Sequence, residues 1–140
     1  MATFNDKELD YLRGQRLARL ATADAAGWPH VTPVGFRVSE DADAIEVGGH
    51  GFAKSKKYRD IRANPRVAIV IDDLPSVRPW TPRGVEIRGR AELRDTGGER
   101  FGPGWDPAWV RIVPERVTSW GIEAPPFTKG SARARSIARP

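Results

Sequence analysis

The 140-residue chain has no cysteine. That one absence excludes disulfides, cysteine-ligated metals, iron–sulfur clusters and thiol nucleophiles together. It also lacks an apolar run approaching the ~20 residues that a membrane-spanning helix needs. Met1 to Arg13 is charged and has no apolar centre, so it does not read as a secretion signal, and a cytoplasmic location with no membrane partner is expected. No Gly-x-Ser-x-Gly elbow is present to support a serine hydrolase. Gly51-x-x-Lys54-Ser55 matches only the end of a P-loop, and Gly49-x-Gly51 is too short for a dinucleotide fingerprint. The two histidines, His30 and His50, have no acidic residue at ligand spacing, so no metal is expected.

Positive charge is present, but it is local. Of the net charge of +5, four units come from Lys129, Arg133, Arg135 and Arg139, in a final stretch that carries no acid. The rest of the chain is nearly neutral apart from one cluster between Gly51 and Arg66, where six basic residues face the single acid Asp60. A nucleic-acid-binding domain spreads its positive charge along a face or a recognition helix, so no nucleic-acid partner is expected.

The length suits one domain with one core, spanning residues 1–140. Thr3 or Asn5-Asp6 can cap a short helix running to about Arg13, with Phe4, Leu9 and Leu12 as its apolar contacts and Gly14 as its end. Strands are expected at Arg16 to Thr22, His30 to Val38 and Ala44 to Gly48, the first two joined by the turn signal Ala25-Ala26-Gly27-Trp28-Pro29. Pro33 has no N–H to give to a ladder, which places the second strand at an edge or beside a bulge. Lys54 to Ala63 has Tyr58 and Ile61 at helical spacing and is stopped by Asn64-Pro65. Arg66 to Asp72 is short, continuous and β-branched, the composition of a strand buried on both faces. Arg83 to Arg94 alternates cleanly: Val85, Ile87, Gly89, Ala91 and Leu93 on one face, charge on the other. Trp109 to Trp120 is the sixth strand, and the tail from about residue 122 reads as mobile. Loops are expected over Asp73 to Pro82 and over the Gly-rich Asp95 to Asp106. Six strands with short connections and two helices predict a mainly β fold, a small antiparallel barrel that removes its own edges.

The most informative stretch is Gly48-Gly49-His50-Gly51-Phe52-Ala53-Lys54-Ser55-Lys56-Lys57. Its glycines permit a sharp turn, and a helix start leaves N–H groups free at the positive end of the helix dipole. With Lys56 and Lys57 beside it, this corner suits a phosphate. Lysine pairs are more commonly solvated helix charges, and it is the preceding turn and Ser55 that favour an anion site here.

The order and spacing of Arg19-Leu20-Ala21-Thr22, His30-Val31-Thr32-Pro33-Val34, Ser55-Lys56-Lys57-Tyr58-Arg59-Asp60-Ile61, Asn64-Pro65-Arg66-Val67, Arg88-Gly89-Arg90-Ala91 and Trp120-Gly121 resemble the pyridoxamine-phosphate-oxidase-like (PPOX class) family. The fit is closest to its deazaflavin (coenzyme F-420)-dependent oxidoreductase branch. The resemblance implies a six-stranded FMN-binding-type split barrel that forms a homodimer, with coenzyme F-420, or alternatively FMN, in a groove between subunits. It implies that Lys57, with Lys56 and Ser55, holds the cofactor phosphate. The backbone of Thr32, Pro33 and Val34 would line the ring, with Gly48, Gly49 and His50 alongside. Trp80 joins them as a side chain able to stack on a ring, as Trp105 could, whereas Trp109 and Trp120 read as core or interface anchors. Arg59 or Arg62 would meet an anionic tail. The family's oxidases have a basic residue at each end of the second strand. This strand opens on His30 and has Arg37 only near its end, which counts against pyridoxamine phosphate as substrate. The implied reaction is hydride transfer to a small unsaturated or conjugated acceptor; the glycine content of the 95–106 loop separately suggests a flexible cover for it. A protein of the same fold that only binds a flavin, a deazaflavin or haem is the non-catalytic alternative.

Overall fold

Asn5 opens the first helix, α1 (Asp6–Arg13), through a reciprocal capping box in a computed structural model that describes residues 2–139. The Glu8 N–H donates to the Asn5 side chain at 2.8 Å, and the Asn5 N–H donates to the Glu8 carboxylate at 3.0 Å. Phe4, Tyr11 and Leu12 are buried against the barrel, and Gly14 ends the helix. Eight strands follow: β1 (Leu17–Ala23), β2 (Pro29–Gly35), β3 (Arg37–Val38), β4 (Ile45–Val47), β5 (Arg66–Asp73), β6 (Arg83–Arg94), β7 (Trp109–Trp120) and β8 (Ala132–Ser136). The second helix, α2 (Lys56–Ala63), connects β4 to β5 after one 3-10 turn at Phe52–Lys54. Among the described residues, no helix is long and apolar enough to cross a membrane.

The strands form one antiparallel sheet in the order β2-β1-β5-β6-β7-β4-β3, with β8 added alongside β7. Its two ends, β2 and β3, are halves of one segment bent at Phe36, so the sheet closes on itself as a split barrel. This bend accounts for one of the two strands beyond the six expected. Gly35 pairs with Leu17 of β1, and Arg37, two residues later, pairs with Glu46 of β4. Pro33 is on β2, which among the described residues pairs with β1 alone, as its missing N–H requires.

The other additional strand corrects the expectation of a mobile tail. Residues 132–136 pair with Arg116–Trp120 in full register, and Arg135 reaches across to Glu8 at 2.6 Å. Of the tail's four cations, Arg135 is paired with the buried Glu8 and Arg139 with Asp43, both far away in sequence.

Inward-facing Leu20, Ile45, Val47, Ile69, Ile71, Val85, Ile87, Val110, Ile112 and Val117 make the core, with Phe4 and Phe52 as its largest plugs. The clean alternation in β6 is the observed one. In β5 only Val67, Ile69 and Ile71 are fully buried, while Ala68 and Val70 face outward and are half-buried. The expectation of burial on both faces is therefore met on one face in a single chain. A register shift between Arg88 and Gly89 bends β6 over β7. Gly89 is needed there, since a Cβ would stand 2.1 Å from the Val113 carbonyl oxygen.

Candidate functional site

The corner predicted from sequence is built, with one change in who occupies it. Gly51 has a φ of +64° and turns the chain into the 3-10 segment, a conformation that glycine adopts without strain. The N–H groups exposed by this turn are taken by Asp106: its carboxylate accepts from Gly51 N at 3.2 Å and from Ala53 N at 3.1 Å. The Asp106 N–H in turn donates to the Gly49 carbonyl at 3.0 Å. An intramolecular anion thus satisfies donors that the sequence reading offered to a ligand.

Ser55 is the N-cap of α2. Its hydroxyl donates to the Phe52 carbonyl at 2.7 Å and accepts from Tyr58 N at 3.3 Å. Lys56 is also committed, pairing at 2.9 Å with Asp60, which is 3% exposed and also accepts from Thr22 at 2.8 Å. Burial by itself would raise the Asp60 carboxyl, but the hydrogen bonds from Lys56 and Thr22 outweigh it and hold the group below the usual aspartate value. Thr22 is directly opposite His30, so this cluster ties the start of β2 to α2.

Lys57 differs from its neighbour. It is half-buried, its ammonium lies 5.9 Å from the Phe52 ring, and it pairs with no carboxylate among the described residues. Burial pushes its pKa below the usual lysine value. An under-solvated cation in the first turn of a helix suits an incoming phosphate, which would restore its lost solvation. A Cβ built on Gly49 would meet nothing within 4 Å, so the turn beside it is open.

Of the remaining predicted residues, Thr32 is half-buried, Val34 buried and Pro33 exposed along edge strand β2. His50 is exposed and meets the Trp105 ring edge-on, with centroids 6.3 Å apart. Trp80 stands apart from the others, 57% exposed in the hairpin loop beyond the Asp73–Arg83 end of β5 and β6, while α2 feeds into β5 at its opposite end. Arg59 bonds to the Lys54 carbonyl and Arg62 covers the Tyr58 ring.

A second feature adjoins the Gly48 side of this corner, and of its walls the sequence points only to Trp105 and the 95–106 loop. A cleft of about 300 Å³ opens between the β2–β3 bend and the 97–106 loop, walled by Phe36, Phe101 and Trp105. Trp105 covers Gly48, where a Cβ would come 3.2 Å from its ring. Aromatic residues in an otherwise Gly-rich, aperiodic loop were the available signal.

A model of the family described as pyridoxamine 5′-phosphate oxidase matches residues 4–131. A 5a,11a-dehydrotetracycline/5a,11a-dehydrooxytetracycline reductase from Streptomyces rimosus is 42% identical over 130 residues, covering 93% of this chain and 92% of the relative. A conserved hypothetical protein from Mycobacterium tuberculosis superposes with a TM-score of 0.66 at 27% identity, over 85% of this chain and 86% of that one. A FAD-binding protein from Mesorhizobium loti shares the fold with a TM-score of 0.61 at 23% identity, over 83% and 94% of the two chains.

Proposed function

The chain belongs to the pyridoxamine 5′-phosphate oxidase family, and we propose that within it this protein is an oxidoreductase that uses coenzyme F-420 to reduce a small conjugated substrate. The observation that carries this reading is Lys57: a half-buried cation in the first turn of α2 that pairs with no carboxylate among the described residues. The similarity to a reductase of dehydrotetracyclines supports reduction of a conjugated ring system, and the shared fold of a FAD-binding protein supports a flavin-type cofactor.

When bound, a deazaflavin supplies the hydride, and the protein is left with binding, orientation and exclusion of water. Lys57 would hold the phosphate. Ser55 and Lys56 act one step back, Ser55 by capping α2 and Lys56 by holding Asp60, which fixes α2 against β1 and β2. As an edge strand, β2 leaves the backbone groups of alternate residues free on one side, and the stretch Thr32-Pro33-Val34 would lie along the ring's polar rim.

Tryptophan-fluorescence titration tests the cofactor. F-420 should bind about tenfold or more tightly than FMN, a difference of about 1.4 kcal/mol. Anaerobic mixing of the reduced F-420 complex with quinones and enones should then restore the absorbance of the oxidised cofactor. Tighter binding of FMN would select a flavin enzyme instead. Tight F-420 binding with no turnover of any acceptor would make the protein a carrier.

The second subunit expected from the sequence is part of the same proposal. On the outer face of the sheet, Val31, Ala21 and Ala68 are cross-strand neighbours, as are Pro33, Arg19 and Val70. Leu17 and Val31 are 55% and 65% exposed there. A second copy of this 15.5 kDa chain covering that face would remove it from water. Val31→Asp would place a charge in the contact, and light scattering should show the dimer mass falling to that of the monomer. A wild-type protein already monomeric at working concentration would end this part of the account.

A further inference from the structure

We propose that the acceptor binds in the cleft between the β2–β3 bend and the 97–106 loop, and that it is a flat, conjugated ring compound bearing an ionisable enol. This inference rests on the reductase reading above and assigns that reaction's second site.

The cleft's position comes first. Gly35 and Phe36 directly follow Thr32–Val34, and Trp105 covers Gly48 while its edge faces His50. Both segments proposed to line the cofactor ring therefore border the cleft. Asp60, three residues after Lys57 on α2, is held by Thr22, which faces His30 at the other end of β2. The five steps from His30 to Gly35 span about 17 Å of strand, so phosphate and acceptor would sit toward opposite ends of one edge.

The lining then sets the chemistry. Phe36, Phe101 and Trp105 are all half-buried, and Phe101 meets Trp105 edge-on with centroids 5.8 Å apart. These walls favour a planar ligand over a branched aliphatic one. Glu46 is only 7% exposed and is shared between Arg37 at 3.4 Å and Arg100 at 3.5 Å. Arg16, which also lines the cleft, pairs with no carboxylate among the described residues. One acid thus faces three guanidinium groups, and the cleft carries an uncompensated positive charge. Adding a hydride to the β-carbon of an enone moves a π pair onto the carbonyl oxygen. Arg16 and Arg37 are placed to offset that negative charge until water supplies the proton.

The test uses tetracycline, a flat enolised molecule, titrated calorimetrically into the cofactor-free protein. Wild type should bind it, and rising salt should weaken the binding. Arg16→Ala and Arg37→Ala, both at exposed positions, should each weaken it about tenfold, as expected for loss of a charge-assisted hydrogen bond. F-420 affinity should stay within about twofold in both variants. Phe101→Ala should weaken tetracycline without making its binding less salt-dependent. Failure of wild type to bind tetracycline overturns the proposal, and so does an affinity unchanged in both arginine variants. Competition between tetracycline and F-420 for one site overturns it too. If tetracycline binds through these arginines but F-420 does not bind at all, the cleft stands and the cofactor reading falls.

Discussion

Arg135→Ala is expected to lower the free energy of unfolding by about 3 kcal/mol, the lower end for removing one partner of a buried ion pair, because Arg135 itself keeps some contact with water. Glu8 is fully buried, and Arg135 meets both of its carboxylate oxygens, at 2.6 and 3.0 Å, while also bonding to the Thr3 carbonyl. The same carboxylate accepts the Asn5 N–H, so one acid secures both the start of α1 and the edge strand β8. Burial alone would raise the Glu8 carboxyl. The hydrogen bonds from Arg135 and Asn5 and the arginine's charge outweigh it and leave the group below the usual glutamate value. A lowered folded-state pKa contributes stability above the ordinary glutamate range, and that contribution is lost as pH falls through the lowered value. Urea unfolding of wild type and Arg135→Ala should therefore differ most near neutrality and converge in acid. A gap that stays constant down the acid range would assign the loss to packing of the arginine stem instead.

This pair also shows what could and could not be read in advance. The helix, the alternation of β6 and the handover from the third strand to a basic helix are local patterns, written within a dozen residues, and they appear where expected. The role of Ser55 was half legible: its place before Lys56 marked a helix start, and the structure uses its oxygen for that cap. What was hidden depends on partners distant in the chain. Asp106 fills the Gly51 and Ala53 donors from 55 and 53 residues away, and no spacing rule links an acid in a Gly-rich loop to that turn. The β8 strand carries arginines where a strand pattern calls for apolar residues, because its partners are Glu8 and an already complete barrel edge. Lys56 and Lys57 are adjacent and chemically alike. Only the fold separates them, by turning one toward Asp60 and leaving the other without an acid among the described residues.

That separation yields the second large effect. Lys57→Ala should weaken F-420 binding by about 1.5–3 kcal/mol, the range for a hydrogen bond to a charged group. Its effect on stability should be small, since no carboxylate loses a partner. Lys56→Ala should do the reverse, leaving Asp60 buried with only Thr22 and lowering stability more than affinity. Because burial lowers the Lys57 pKa, wild-type affinity should also fall at a lower alkaline pH than an ordinary lysine would give. The decisive measurement is F-420 affinity of Lys57→Ala and Lys56→Ala side by side, each checked for folding by urea titration. The account predicts about a tenfold or greater loss for Lys57→Ala and a change within about twofold for Lys56→Ala. Equal losses in both, or none in Lys57→Ala, would contradict it.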